Sequence, residues 1–267
     1  MAINALQSAS SGLSALNTAL DVISNNLANV NTPGFKGSRA NFQDLLYLEM
    51  AEPGVENANG DQRPTGLYVG LGVKVSGTQN NFTQGAPLRT GEDFDIMIQG
   101  DGFFQVTVEA EKGGTAYTRA GNFTRNSEGQ IVLANDQGRR LVPETTIPDN
   151  ATEVQIGSDG RIMAMLPGDT ELQEIGRIET ATFINPTGLK TIGENLFIET
   201  SASGSPVTGN PASDNRGSIM QGFLEASNVD PTKELVELIR TQRAFEMNSQ
   251  TIRAADDALR TVAQLRR

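Results

Sequence analysis

The sequence predicts an α+β fold: long N- and C-terminal helices paired as a coiled-coil-like domain, with one central all-β domain between them. Three observations carry this expectation. Apolar side chains recur at helical spacing from Ile3 to Val30, and every seven residues from Leu238 to Leu259. Between these ends, apolar and polar positions alternate and are punctuated by Gly, Asn and Asp turns. At 267 residues the chain is long enough for a sizeable core in one or two domains. The domain assignment that follows is 1–35 and 225–267 as a terminal helical polymerisation domain, 36–70 as an extended connector and 71–224 as the central β domain.

In the first helix, Ile3, Leu6, Ala9, Leu13, Leu16, Leu20, Ile23, Leu27 and Val30 form a near-heptad stripe. Thr32-Pro33-Gly34 ends it, because Pro disfavours helical geometry in the residue before it. At ~1.5 Å per residue this helix is roughly 40 Å long. The last helix opens at Asp230-Pro231, a capping carboxylate followed by Pro at the first helical position, where no N–H is needed. Its seam is Leu235, Leu238, Phe245, Ile252, Leu259 and Val262, interrupted by Gln242, Ser249 and Asp256. Lys233/Glu237, Glu237/Arg240 and Asp256/Arg260 are spaced to pair along its outside, and its length is roughly 50 Å.

The middle reads as strands. Phe94, Ile96 and Ile98 alternate with Asp93, Asp95 and Met97, and Phe104, Val106 and Val108 alternate with polar residues, as in strands with one buried face. Short strands are expected at Ile131–Leu133, Glu153–Ile156, Arg161–Met165, Ala181–Ile184 and Leu196–Glu199. Turns are expected at Gly100–Gly102, Asn126–Gly129, Asn135–Gly138 and Ser158–Gly160, and loops at Ala51–Gly66 and Thr200–Gly217.

Composition excludes many chemistries. The chain has no His, Cys or Trp, which removes Ser-His-Asp triads, thiol nucleophiles, disulfides and ordinary zinc sites. No catalytic, cofactor-binding or metal-binding residue is assigned. The net charge is −11 and resides almost wholly in residues 36–224, since residues 1–35 carry only Asp21 and residues 225–267 balance seven basic against seven acidic side chains. Such an acidic chain is a poor match to nucleic acid, and Arg266-Arg267 is too short a patch to change that. The first twenty residues lack a basic region and are diluted by Gln, Ser, Asn and Thr, so they read neither as a secretory signal nor as a membrane span. Asp93, Asp95 and Asp101 are the nearest approach to a carboxylate site, and their strand spacing marks a solvent face. Gly70-Leu71-Gly72 lacks the third glycine of a dinucleotide fingerprint and reads as a bulge or turn. Met163 and Met165 read as strand residues.

Single-sided apolar helices are marginal alone, and pairing the two with each other still leaves apolar surface on the nearly uncharged first one. Identical neighbours would cover it, and head-to-tail contacts that do not close give a helical filament. Pattern alone leaves open the alternative that both helices pack on the chain's own sheet.

The string Ser24–Lys36 (SNNLANVNTPGFK), with Asn25, Asn26, Asn29, Asn31, Pro33, Gly34 and Phe35, resembles the N-terminal signature of bacterial flagellar axial proteins, the family of rod, hook and hook-associated subunits. Its Asn cluster supplies amides where a helix end leaves carbonyls unpaired. Residues 221–230 (QGFLEASNVD) and 234–248 (ELVELIRTQRAFEMN) resemble the C-terminal signature of the same family. Phe94–Val106 (FDIMIQGDGFFQV), Tyr117–Phe123 (YTRAGNF) and Ile192–Thr200 (IGENLFIET) match its central part. Room for a single β domain is most similar to the distal rod branch, with proximal rod subunits that carry a β domain as the alternative. Leu45–Gly66 occupies the place of a segment associated with a straight, stiff rod, yet it is acidic and Gly/Asn-rich here and departs from that pattern.

The resemblance implies a structural, non-enzymatic subunit whose terminal helices stack into an inner tube inside an outer β wall. That hollow shaft would transmit torque from motor to hook and pass exported subunits. Implied partners are further copies of itself, proximal rod proteins, hook protein, the L/P ring bushing in Gram-negative cells and the flagellar type III export apparatus. No cofactor, nucleic acid or direct membrane insertion is implied. The implied location is the basal body, from periplasm to outer membrane, reached without a cleaved signal peptide. A secreted adhesin or effector with coiled-coil ends would share the architecture but not these strings.

Overall fold

The computed structural model describes residues 2–55, 62–109, 113–167 and 172–265. It is α+β, with an N-terminal helix α1 (Ala2–Ala28), a central β-rich region and a C-terminal helix α2 (Pro231–Leu265). The chain divides into two compact units: 1–28, 38–79 and 230–267 form one, and 29–37 with 80–229 form the other.

In the first unit, α1 and α2 pack against each other. The helix α1 stops at Ala28, so Val30 falls beyond it in the turn that Thr32 N–H closes on the Asn29 carbonyl. The expected capping of α2 is present: Asp230 Oδ1 accepts the N–H groups of Thr232 (3.0 Å) and Lys233 (3.3 Å). Strand Ser38–Asp44 pairs with Val73–Asn80, and Tyr47–Ala51 pairs antiparallel with Leu67–Gly70. The loop expected over Ala51–Gly66 lies partly outside the described residues, as do the side chains of Ile3 and Val262 and the Arg266-Arg267 pair.

The second unit is built on a sheet running Lys190–Gly193, Leu196–Ile198, Thr115–Thr118, Phe103–Thr107, Thr180–Thr182, Val207–Gly209, with Leu141–Val142 also paired to Phe103–Thr107. A three-stranded sheet comprises Glu153–Ile156, Arg161–Met165 and Gln173–Arg177. Smaller pairs join Phe123–Arg125 to Ile131–Leu133, Ile96–Gln99 to Ser218–Gln221, and Pro87–Arg89 to Phe223–Glu225.

Two expectations fail here for one reason. Strand Phe103–Thr107 is buried on both faces: Phe104 and Val106 enter the main core with Ile96, Ile98, Leu141, Ile162 and Ile178, while Phe103 enters a second core with Tyr117, Phe183, Leu189 and Phe197. Edge-to-face ring contacts order that second core, Tyr117 and Phe183 lying 4.7 Å apart between centroids. A strand covered on both sides has no reason to alternate. The strand at 94–98 likewise shortens to Ile96–Gln99, with Met97 only 2% exposed, and Phe94 sits in the preceding turn. The strand expected at Ala181–Ile184 shifts to Thr180–Thr182 and leaves Ile184 89% exposed before the turn at Pro186. The loop expected over Thr200–Gly217 contains the edge strand Val207–Gly209.

Truncating Phe104 to Ala should therefore cost about 3–5 kcal/mol in chemical denaturation, whereas Ile184→Ala should stay within about 0.5 kcal/mol. At the α2 cap, the Lys233 N–H, and then that of Thr232, hold the Asp230 carboxyl below the ordinary aspartate range. A carboxyl depressed by folding stabilises above its unfolded value, and that stabilisation is lost as pH falls through the folded one. The protection factors of the Thr232 and Lys233 amides, taken relative to the intrinsic exchange rate at each pH, should accordingly fall on acidification, and Asp230→Asn, which caps without titrating, should abolish the dependence.

Candidate functional site

The expected seam residues of α1, Leu6, Leu13, Leu16, Leu20, Ile23 and Leu27, are all half-buried. On α2, Leu238, Phe245 and Ile252 are half-buried, while Leu235 and Leu259 are 46% and 38% exposed. Among the described residues of this unit, the only fully buried apolar side chains are Ala9, Ala15 and Ala19. A second apolar side of α2, Val236, Ile239 and Met247, is exposed and lies outside the expected stripe. So is the ribbon formed by Tyr47–Ala51 and Leu67–Gly70, where Tyr47, Leu48, Met50, Leu67 and Tyr68 all face solvent. Among its described residues the unit thus exposes several large apolar side chains and fully buries only small ones.

Small residues let the strands approach α1. Ser11 Oγ accepts the Val73 N–H at 3.3 Å, and Ser8 Oγ donates to the Gly70 carbonyl at 3.3 Å. Gly72, at φ +114°, lies so close to Ser11 that any Cβ would collide with its Oγ. The Gly70-Leu71-Gly72 motif is therefore a tight approach of strand to helix.

At Asn26 the Asn-rich string works differently from the expectation. Asn26 is buried, but its amide serves the backbone of the following strand rather than helix carbonyls: Nδ2 donates to Ser38 O at 2.7 Å, and Ser38 N–H donates to Oδ1 at 2.9 Å. Asn29 Oδ1 accepts the Thr32 hydroxyl, and Asn25 and Asn31 lie at the surface. The Pro33 carbonyl accepts Asn195 Nδ2 at 3.1 Å. Gly34 turns at φ +72°, where a Cβ would stand 2.5 Å from Ala120 N, and its N–H donates to the Glu225 carbonyl at 2.7 Å. Only glycine satisfies both the conformation and the clearance. The Phe35 carbonyl receives Asn228 N–H.

The sequence reading missed the group on which these segments converge. Glu225 is fully buried, and its Oε1 accepts Lys36 Nζ at 2.6 Å and Gly85 N–H at 2.8 Å, while Oε2 lies 3.4 Å from Arg119 Nη1. Lys36 also donates to Thr83 O, and Arg119 Nη2 to Gly100 O, with the guanidinium 5.3 Å above the Phe103 ring. Burial pulls both cations below their ordinary ranges, and the Glu225 carboxylate opposes it. The three residues come from SNNLANVNTPGFK, YTRAGNF and QGFLEASNVD, so three of the quoted strings each supply one charge to a single cluster. A charged residue inside each otherwise apolar and polar string, single in the first two and joined by Asp230 in the third, was the available signal.

Asp93, Asp95 and Asp101 do not gather: among the described residues no cluster of three or more carboxylates could hold a metal ion. No helix among them is long and apolar enough to cross a membrane. The site is a set of packing surfaces and one buried electrostatic knot. Replacing Glu225 with Gln leaves Lys36 and Arg119 without their buried counter-charge, and should cost about 3–5 kcal/mol in urea unfolding. Lys36→Met, which keeps the Arg119 partner, should cost less.

Three family descriptions match in order along the chain: "Flagella basal body rod protein" over residues 6–36, "Flagellar hook protein FlgE/F/G D1 domain" over 97–164, and "Flagellar basal body rod FlgEFG protein C-terminal" over 220–265. The chain is 44% identical over 265 residues to the flagellar basal-body rod protein FlgG of Caulobacter vibrioides, covering 99% of this chain and 100% of that one. It is 37% identical to the FlgG of Bacillus subtilis, covering 99% and 100%, and 35% identical to the FlgF of Caulobacter vibrioides, covering 91% and 89%. With identity of this level sustained from the N-terminal Asn-rich string to the end of α2, the chain belongs to the flagellar basal-body rod protein family.

Proposed function

We propose that the chain is a structural subunit of the distal flagellar rod, which polymerises into a hollow helical drive shaft. The observation that carries this reading is the helical unit whose seam leucines stay partly exposed while, among its described residues, the only buried apolar side chains are alanines. Helices of 27 and 35 residues need more apolar burial than that to be held in order, and sister copies supply it. In the assembly α1 and α2 pair in coiled-coil fashion along Leu6, Leu13, Leu16, Leu20, Ile23 and Leu27 on one side and Leu235, Leu238, Phe245, Ile252 and Leu259 on the other. The domain division is that of the sequence reading: terminal helices as the polymerising part, 36–70 as connector and 71–224 as the outer β wall. Identity over 99% of the chain to FlgG relatives, against 91% coverage for FlgF, favours the distal over the proximal position.

The role is mechanical and not catalytic. The shaft carries torque to the hook and passes exported subunits through its bore. Its partners are proximal rod proteins, hook protein and, in Gram-negative cells, the L/P ring bushing, along a path from periplasm to outer membrane. The flagellar type III apparatus exports it without a cleaved signal peptide.

Leu16→Asp and Leu20→Asp place a charge on the half-buried seam without touching the β core. Both should abolish motility and remove the subunit from purified hook–basal bodies, with the second unit still folding cooperatively. Normal motility of both variants would refute the packing scheme.

A further inference from the structure

Within the helical unit, α2 carries two different surfaces on nearly opposite sides. Glu234, Glu237 and Thr241 recur at i, i+3 and i+7 and, with α1 and strand Ser38–Asp44, line a cavity of about 210 Å³. Its apolar wall is Ala19, Val22 and Ile23 of α1 together with Phe42, which is 50% exposed. The carboxylates of Glu234 and Glu237 stand there against one cation, Arg39. Glu237 pairs with Arg240 at 2.9 Å, and Arg39 donates to Gln79 Oε1 at 3.0 Å. The half-buried Glu234 carboxylate has no ion pair or hydrogen bond among the described residues. The exposed Val236, Ile239 and Met247 lie roughly 150° around the helix from that face. Arg243 sits four residues from both Ile239 and Met247, is exposed, and is likewise without a partner among the described residues. With Arg240 and Glu246 on its flanks, this stripe carries two cations to one carboxylate.

The two surfaces complement each other in charge and in shape. One is an acidic apolar groove and the other a basic apolar ridge. A cavity of about 150 Å³ already admits a benzene ring, so this one has room for a methionine side chain, whose flexible thioether adapts to irregular walls. We propose that the stripe of one copy docks on the groove of the next, with Met247 in the cavity and Arg243 against Glu234; this rests on the reading of the chain as a rod subunit and names surfaces by which its copies meet. Because ridge and groove lie on opposite sides of one helix, a copy cannot fill its own groove, and two copies cannot fill each other's. Every docking therefore leaves one ridge and one groove open, and the contact propagates rather than closes.

The natural sequence has no cysteine, so an introduced pair reports this contact alone. Within one copy Gly12 lies against Asn248, which places Met247 about ten residues, roughly 15 Å, along α1 from Val22. A disulfide needs Cα atoms within about 7 Å, so Val22→Cys and Met247→Cys can join only between copies. In hook–basal bodies from cells whose sole copy carries both substitutions, mild oxidation should give a ladder of dimers, trimers and higher multiples on a non-reducing gel. Either cysteine alone should give none. Separately, Glu234→Arg and Arg243→Glu should each lower the amount of subunit in basal bodies about tenfold by setting like charges together, and the double exchange should restore it. A subunit that enters basal bodies without forming the ladder would overturn the docking and leave the rod reading standing. Should the cysteine pair keep the subunit out, the charge exchange decides, and single defects that the double exchange does not repair would overturn the contact. Absence of the unaltered chain from basal bodies would overturn the rod reading itself, and this docking with it.

Discussion

The constraint that governs this molecule is the shortage of buried apolar volume in its helical unit. Ordering a residue costs about 1–2 kcal/mol of backbone entropy, and a fully buried leucine returns about 1.5–3 kcal/mol. A buried alanine methyl returns much less. Because Ala9, Ala15 and Ala19 are the fully buried apolar residues there, the larger side chains of α1 and α2 are only partly engaged. Small residues at the contact do have a use: they allow close approach of helix and strand backbones, as Ser8 and Ser11 do beneath Gly70 and Gly72. The geometry favours tight, shallow contacts within one copy and leaves the leucine and valine surfaces only partly covered.

The β-rich unit has the opposite character. Its central strand is sandwiched between two cores, and its rings stack edge to face without help from outside. Within it lies an arrangement that hydrophobic packing alone would not choose, a buried carboxylate between two buried cations. Such clusters rarely beat an apolar replacement in stability, and their use is to specify which groups meet. Lys36 and Glu225 are separated by 189 positions, so their pairing selects one arrangement of the segments leading from α1 and towards α2. A misplaced segment would leave a charge buried and unpaired, a far larger penalty than a misplaced methyl group.

How much of this could be read from the chain follows from the range of each interaction. The helices were legible because their periodicity is local: Leu13, Leu16 and Leu20 announce a face without knowledge of anything else, and Asp230-Pro231 announces a start. The turns were legible for the same reason, with Gly129, Gly138 and Gly160 adopting the positive φ that their motifs required. The alternation at Phe104–Val108 misled, because a strand's second face is decided by sheets distant in sequence. The exposed ribbon at Tyr47–Ala51 was hidden by the Gly, Asn and Pro residues that follow it. Val236 and Ile239 escaped because a single stripe was sought where α2 carries two apolar sides. Glu225 had no periodic signature at all, and only its position inside a recognisable string marked it.

The preference for asparagine where the segments meet has a physical basis. A carboxamide carries one acceptor and one two-proton donor at nearly the spacing of a peptide group, so Asn26 answers both Ser38 N–H and Ser38 C=O as a neighbouring strand would. It does so without a formal charge, and so without the desolvation that Lys36 and Arg119 require Glu225 to offset. Aspartate would lose the donor, and an apolar side chain would leave both part-buried backbone groups of Ser38 without this partner. Where several chain segments must be held side by side and no regular ladder can form between them, an uncharged side chain that imitates the backbone is the least costly way to do it. The Asn-rich string that first marked the family is therefore also, at Asn26, a piece of surrogate main chain.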